Sequence, residues 1–529
     1  MRSVMNHTFS QIPDVQIQRS KFNRSHGYKT TFDSGYLVPV FVDEALPGDT
    51  FNLRMTSFAR LSTPVKPVMD NLFLDVFFFA VPYRLVWDNW KKFNGEQINP
   101  GDSTSFIVPY MDAPVSTGHA IGSLSDYFGI PTGIASLRHS SLWHRAYNLI
   151  YNDWFRDENL INSATVDHGD GPDTSTNYVL RRRCKRHDYF TSCLPWPQKG
   201  AAVTLPLGTT APVIGLGKPT RVFGYGATDV YETGSGASTV HYDYAATVNP
   251  AAGDTTLLIR GTANPAGSPM IFADLSNATA ATINSLRQAF QIQRLYERDA
   301  RGGTRYIEVV RAHFGVTSPD ARMQRPEYLG GGSSQISFTP VPQTANTPAS
   351  GTPQGNVAAF AVHSSQNGFV KSFTEHCLLL GIVNVRADLT YQQGLNRMFS
   401  RSTRWDFYWP ALANLGEQSV LVKEIYAQNN SDDITVFGYQ ERFAEYRYKP
   451  SQITGKYRST ASGTLDVWHL AQKFTAKPTL GQTFIEENPP VDRIVAVNTE
   501  PQILFDSYFD MQCVRPMPVY SVPGLIDHM

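Results

Sequence analysis

The chain has 529 residues, and its 46 Lys plus Arg balance 46 Asp plus Glu, so the formal net charge is zero. That balance excludes a globally basic nucleic-acid binder and a chain drawn as a whole to an anionic membrane. Only 17% of residues are charged, and with 31 Phe, 25 Tyr, 34 Pro and 39 Gly the composition excludes a disordered polyelectrolyte and points to surface hidden in a core or against other subunits.

An aromatic-rich globular enzyme fits the same numbers. The four cysteines, Cys184, Cys193, Cys377 and Cys513, form no CxxC and no zinc spacing, so free thiols in a reducing compartment are expected. The N-terminal stretch lacks an apolar signal core, and no run approaches the ~18 residues of a membrane span. The expected place is cytosol, or something assembled there.

Residues 1–35 have mixed polarity and no period, and read as an arm that a neighbour orders. Tyr36–Val42 is apolar, Leu46–Asp49 is a turn, and Thr50–Phe58 alternates, with Phe51, Leu53 and Met55 on one side as in a strand with one wet face. Leu72–Val81 is rich in Phe and Val and suits a strand buried on both faces. Three such strands without a helix between them predict an antiparallel sandwich or barrel. Ser123 with Asp126 resembles a helix cap. Trp143, Tyr147, Ile150 and Trp154 form one helical stripe over 137–156, read as core packing.

The dense basic cluster is Arg181, Arg182, Arg183, Lys185 and Arg186, followed by Trp196. Cations that track phosphates beside rings that stack on bases suit single-stranded nucleic acid. A solvated face or a salt bridge is the alternative. Residues 200–281 turn to Gly, Ala, Thr and Pro and read as an inserted, exposed excursion. Gly215–Pro219 lacks the upstream Gly and the Ser/Thr of a phosphate loop.

Helices are expected over 282–301 and 304–314, and a loop over 315–356. Strands are expected at Val357–Val362, Cys377–Val385, Ser419–Ala427 and Ile434–Tyr439. The tail from Pro450 is extended, with helix signal only over Thr464–Lys473. No catalytic set stands out. His139 and His144 are five apart, wrong for one helical face, and Glu375-His376-Cys377 places its neighbours on opposite sides of a strand. No cofactor, metal ligand or catalytic residue is assigned.

Three long segments carry a resemblance. They are Arg24–Pro39 (RSHGYKTTFDSGYLVP) continuing through Val42–Phe51 (VDEALPGDTF); Arg301–Glu308 (RGGTRYIE) with His313–Val316 (HFGV) and Arg325–Gly331 (RPEYLGG); and Phe437–Pro450 (FGYQERFAEYRYKP). Together they resemble the major capsid proteins of the gokushovirus branch of the Microviridae, small tailless phages with single-stranded DNA.

The resemblance implies a mainly β fold, an eight-stranded antiparallel jelly roll with large loop insertions. It divides the chain into an arm (1–35), a first jelly-roll part (36–200), a surface protrusion (201–281) and the remaining helices, strands and tail (282–529). It implies a small T=1 icosahedral shell of identical copies around a circular single-stranded DNA genome. It also implies a small basic internal DNA-binding protein, a minor pilot protein and a host cell-surface receptor as partners. Tyr225, Tyr231, His241, Tyr242 and Tyr244 would then offer host contacts on three-fold protrusions. A carbohydrate-binding or glycoside-hydrolysing sandwich is the alternative, since sandwiches carry many functions.

Overall fold

A computed structural model describes residues 17–204, the strand pieces 213–214, 230–231, 241–242 and 272–273, and residues 283–317, 324–345 and 353–520. The contact pattern separates residues 198–298 from the remainder. Within that remainder, ten strands build two antiparallel sheets: β1 (Ser20–Asn23), β2 (His26–Phe32), β3 (Val38–Ala45), β4 (Thr50–Leu61), β5 (Leu72–Pro82), β6 (Glu327–Gln335), β7 (Ser337–Pro342), β8 (Val357–Ser372), β9 (Cys377–Ala387) and β10 (Ile503–Arg515). One sheet runs β1-β10-β4-β8-β7, with β2 also on β10; the other runs β6-β5-β9-β3.

β1 and β2 continue one another along β10, interrupted at Arg24 and Ser25. β6 and β7 are one path that changes sheets at the buried Ile336. Eight strand passes therefore make the sandwich, and the expected mainly β architecture is borne out.

Alternation explains the larger sheet. Phe51, Leu53, Met55, Ala59 and Leu61 of β4 point inward with Phe505, Phe509 and Met511 of β10. Each fully buried side chain of this size contributes about 1.5–3 kcal/mol. Ser57 and Ser365 interrupt that face, and their hydroxyls lie 2.9 Å apart, so the buried polar groups are satisfied. The opposite face leaves Phe58, Val370, Leu504 and Tyr508 exposed.

The smaller sheet is buried on both faces, as β5 and β9 predict. Its inner side chains, such as Leu74, Val76, Leu379 and Val383, meet the larger sheet. Its outer ones, such as Phe79, Val81, Leu378 and Leu380, meet Trp87 and the helix α1 (Leu142–Ile150) with Tyr147 and Ile150. Arg145 of α1 is fully buried. Its Nε and Nη2 donate to Asp173 at 2.7 and 2.5 Å and its Nη1 to the Val86 and Gly169 carbonyls, which ties the helix to the loop beyond it.

Several expectations are corrected. Residues 20–32 are not an arm awaiting a neighbour; they pair with β10 of the same chain, because their donors and acceptors fit that strand's open edge. Residues 327–342 are strands rather than loop. Their glycines do not mark a turn: a Cβ on Gly331 (φ +155°) would lie 2.0 Å from the Val76 carbonyl oxygen, so they permit close sheet contact. Ser419–Ala427 divides into a strand, Glu417–Leu421, and one helical turn, Val422–Ile425, started by the Glu424 carboxylate taking the Leu421 N–H at 3.0 Å. Over Thr464–Lys473 only the turn Asp466–Trp468 forms, since Asp70 takes the Leu470 N–H at 2.8 Å and His469 takes that of Ala471. The long helix of the second half (Ile283–Arg301) and the Ser123 cap, which accepts from Asp126, occur as expected.

Gly331→Ala is expected to destabilise the unassembled chain by about 3 kcal/mol or more, from strain and overpacking. Gly481→Ala, where a Cβ meets nothing within 4 Å, should leave the urea midpoint within error of the parent.

Candidate functional site: the basic strap and its neighbours

The basic cluster forms a strap over the outer face of the smaller sheet. Its backbone is held on both sides: Leu37 N–H donates to Arg181 O and Arg183 N–H to Gly35 O, while Lys185 N–H donates to Ile485 O and Glu487 N–H to Arg183 O, at 2.7 to 2.9 Å. The strap thus lies like a strand between residues 35–37 and 485–487. Its side chains are then sent in defined directions.

Arg183 reaches Asp75 at 2.5 Å, and Arg386 of β9 reaches the same carboxylate at 2.9 Å. Asp75, the one charge in the Phe-rich strand β5, is 2% exposed. Burial would raise its carboxyl, but the Ser333 hydroxyl and the two arginines outweigh burial and hold it below the usual range. Arg182 stacks 4.0 Å over the Tyr36 ring and donates to Glu487 O and to the Asn488 side chain. Lys185 is buried and donates to Phe484 O at 2.5 Å. Burial lowers its ammonium, opposed by Glu487, whose own carboxyl burial raises. Arg181 lies over the Tyr151 ring. Arg186 is exposed and Trp196 half-buried.

Of the cations expected to face DNA, Arg183 and Lys185 are therefore committed inside the chain, because a cation paired within a core cannot follow a phosphate backbone. The salt-bridge alternative describes them. Arg186 alone of the five is fully open. Of the expected host-contact residues, Tyr231 lies in a strand piece paired antiparallel with His241 and Tyr242. Tyr225 and Tyr244 lie outside the described residues.

Elsewhere, Glu375 pairs with Arg84, His376 packs edge-on against Trp90, and burial pushes the Cys377 thiol up to about 12. That triplet is structural. His139 and His144 do meet, with rings 5.2 Å apart, and His119 Nε2 lies 2.8 Å from His139 Nε2. The sequence spacing hid this contact because His139 sits on the short strand Arg138–Ser140 before α1 rather than on the helix. Among the described residues, no group of three or more His, Cys, Asp and Glu is placed to hold a metal ion.

Asp75→Asn leaves two arginines without their counter-charge and should cost about 3–5 kcal/mol, whereas Arg186→Ala should stay within about 0.5 kcal/mol; chemical unfolding of the unassembled chain checks both. His144 is buried beside Phe128, Tyr178 and His139, and burial holds its imidazole well below its ordinary value. The unfolded chain therefore takes up the proton first. The stability from neutral His144 is full above about pH 6.5 and is lost as pH falls below it. His144→Gln should flatten that part of the melting-temperature profile below about pH 6.5.

A family model described as capsid protein (F protein) matches residues 10–525. The chain is similar to capsid protein VP1 of Bdellovibrio phage phiMH2K, at 51% identity over 98% of this chain and 97% of that protein. It is also similar to capsid protein VP1 of Chlamydia phage 1 (45%; 99% and 98%) and of Spiroplasma virus 4 (38%; 98% and 97%). The resemblance to gokushovirus-type major capsid proteins is thereby borne out, and with matches running almost end to end the chain belongs to the F-protein family of phage capsid proteins.

Proposed function

We propose that copies of this chain close into a small T=1 icosahedral shell around a circular single-stranded DNA genome. The observation that carries the reading is the match to proteins named as capsid proteins along nearly the whole length of each partner. A two-sheet sandwich supports it, since its larger sheet keeps one face with exposed Phe58, Val370, Leu504 and Tyr508. Apolar side chains set along an open sheet face suit burial against other subunits. Contacts that close around rotation axes build such a shell without a free edge.

The insertion, residues 201–281, forms the three-fold protrusions that meet a host cell-surface receptor. In support, Val213–Ile214 pairs antiparallel with Phe272–Ala273, so the excursion leaves and returns at one place. Tyr231, His241 and Tyr242 belong to a second such pair within it. A small basic internal protein neutralises DNA beneath a shell subunit of zero net charge, and a minor pilot protein accompanies the genome.

Particles purified from cells that also express the phage partners should be uniform, round and nuclease-resistant until disrupted. A stable monomer or dimer under those conditions overturns the reading. Replacing residues 215–271 with a short Gly-Ser linker should leave shells intact and lower adsorption to host cells at least tenfold. Undiminished adsorption removes the attachment role.

A further inference from the structure

A second surface carries what the strap does not. The loop from Arg397 to Pro410 is built of tight turns, Arg397–Phe399 and Arg404–Asp406. The Asp406 carboxylate takes the Ser402 and Thr403 N–H groups at 3.0 and 2.7 Å. Trp409 Nε1 donates to Arg404 O, Arg442 to Trp405 O, and Tyr408 N–H to the Tyr446 hydroxyl. Polar bonds thus fix the loop while its rings stay outside. Trp405, Phe407, Tyr408, Trp409 and Tyr446 are 42–59% exposed, an unusual concentration of aromatic surface.

Arginines lie on those rings. Arg404 sits 4.6 Å over Trp409 and 5.5 Å over Trp405; Arg401 sits 4.4 Å over Tyr446 and 5.3 Å over Phe407. In a chain of zero net charge, residues 394–416 and 441–458 hold eight cations and three acids, a local charge of +5. The acids are engaged: Asp406 in its turn, Glu441 with Arg447, and Glu445 with Arg401 at 3.5 Å and Arg397 at 3.9 Å. Among the described residues, Arg404, Lys449 and Lys456 have no acidic partner. Beside the loop opens a cavity of about 220 Å³, lined in part by Tyr189, Phe190, Arg397 and Arg458 and by Glu424 and Glu445, which pair with Arg397, so the segment that follows Arg186 leads to the same place.

From this we infer that the Arg397–Trp409 loop with Tyr446 and Lys449 is a stacking platform for the single-stranded polynucleotide inside the shell. The inference rests on the proposed genome-enclosing function. Bases stack on the exposed rings, whatever the sequence, and the unpaired cations track phosphates. An interface with a second copy would also use Trp, Tyr and Arg, but interface cores are depleted of charge and of Lys in particular. A patch with more cations than acids, and with Arg404, Lys449 and Lys456 lacking acidic partners among the described residues, matches a polyanion better.

The test is ultraviolet cross-linking of intact DNA-filled particles with peptide mapping, paired with hydroxyl-radical footprinting of filled and empty particles. Nucleotide adducts should map to peptides within 397–409 or 442–458, with Trp405 and Trp409 oxidised in empty shells and protected in filled ones. Equal protection in empty shells means another copy covers the patch and overturns the proposal. Exposure in both, without adducts, overturns it too. Particles that hold no single-stranded DNA would instead contradict the genome-enclosing function itself. In the paired variant Trp405→Ala with Trp409→Ala, adduct yield should fall about tenfold or more, and Tyr at both positions should restore it. If the alanine variant forms no shells, the footprint of the unaltered particles still decides.

Discussion

A buried carboxylate organises this subunit. Asp75 stands in the middle of an apolar strand, on the face of the smaller sheet that looks away from the larger one. Arg386 comes from the neighbouring strand β9, Arg183 from a segment more than a hundred residues later in sequence, and Ser333 from β6, the edge strand on the other side of β5. Desolvating such a group is expensive, and replacing a whole buried ionic set by well-packed apolar residues is often neutral or stabilising. The value of the triad therefore lies in placement. Only one docking of the strap puts Arg183 on Asp75 while Arg182 lies on Tyr36 and Lys185 reaches Phe484 O. With the strap seated, the outer face of the smaller sheet is covered around Asp75.

The consequences run outward from there. A sheet covered on both faces is a rigid interior element, whereas the larger sheet keeps one face uncovered, with Phe58, Leu504 and Tyr508 on it. A molecule with one closed layer and one open layer suits assembly. Cohesion within the subunit uses buried charge, while the 397–409 loop keeps its rings exposed. The same division separates two pairs of arginines. Arg182 and Arg183 of the strap are bound to carbonyl and carboxylate oxygens, and Arg401 and Arg404 of the 397–409 loop lie on exposed aromatic side chains.

Much of this was legible in the sequence. Alternation in Thr50–Phe58 and the Phe- and Val-rich run Leu72–Val81 identified the two kinds of sheet, because a period of two reports one wet face and its loss reports two dry ones. Ile503–Arg515 carried the same alternation, Ile503, Phe505, Phe509, Met511 and Cys513, yet it lay unmarked in a Pro- and Tyr-rich tail. Gly330–Gly332 read as part of a loop, since a run of glycines serves both loops and close sheet contact. The strap was found as a cluster of charge, but its partners Asp75 and Arg386 are distant in sequence and neither is unusual alone. The Trp405–Trp409 loop went unnoticed for a related reason: its rings match no motif, and sequence alone does not separate a buried ring from an exposed one.

The most direct measurement is a reconstruction of DNA-filled particles by electron cryomicroscopy, detailed enough to place side chains. It should show the Asp75 carboxylate clasped by Arg183 and Arg386 within each subunit, with Lys185 enclosed beside Phe484 and no nucleic-acid density on either cation. Arg183 or Lys185 swung out to touch DNA or a neighbouring subunit would contradict the role of the strap as the internal clasp of the fold.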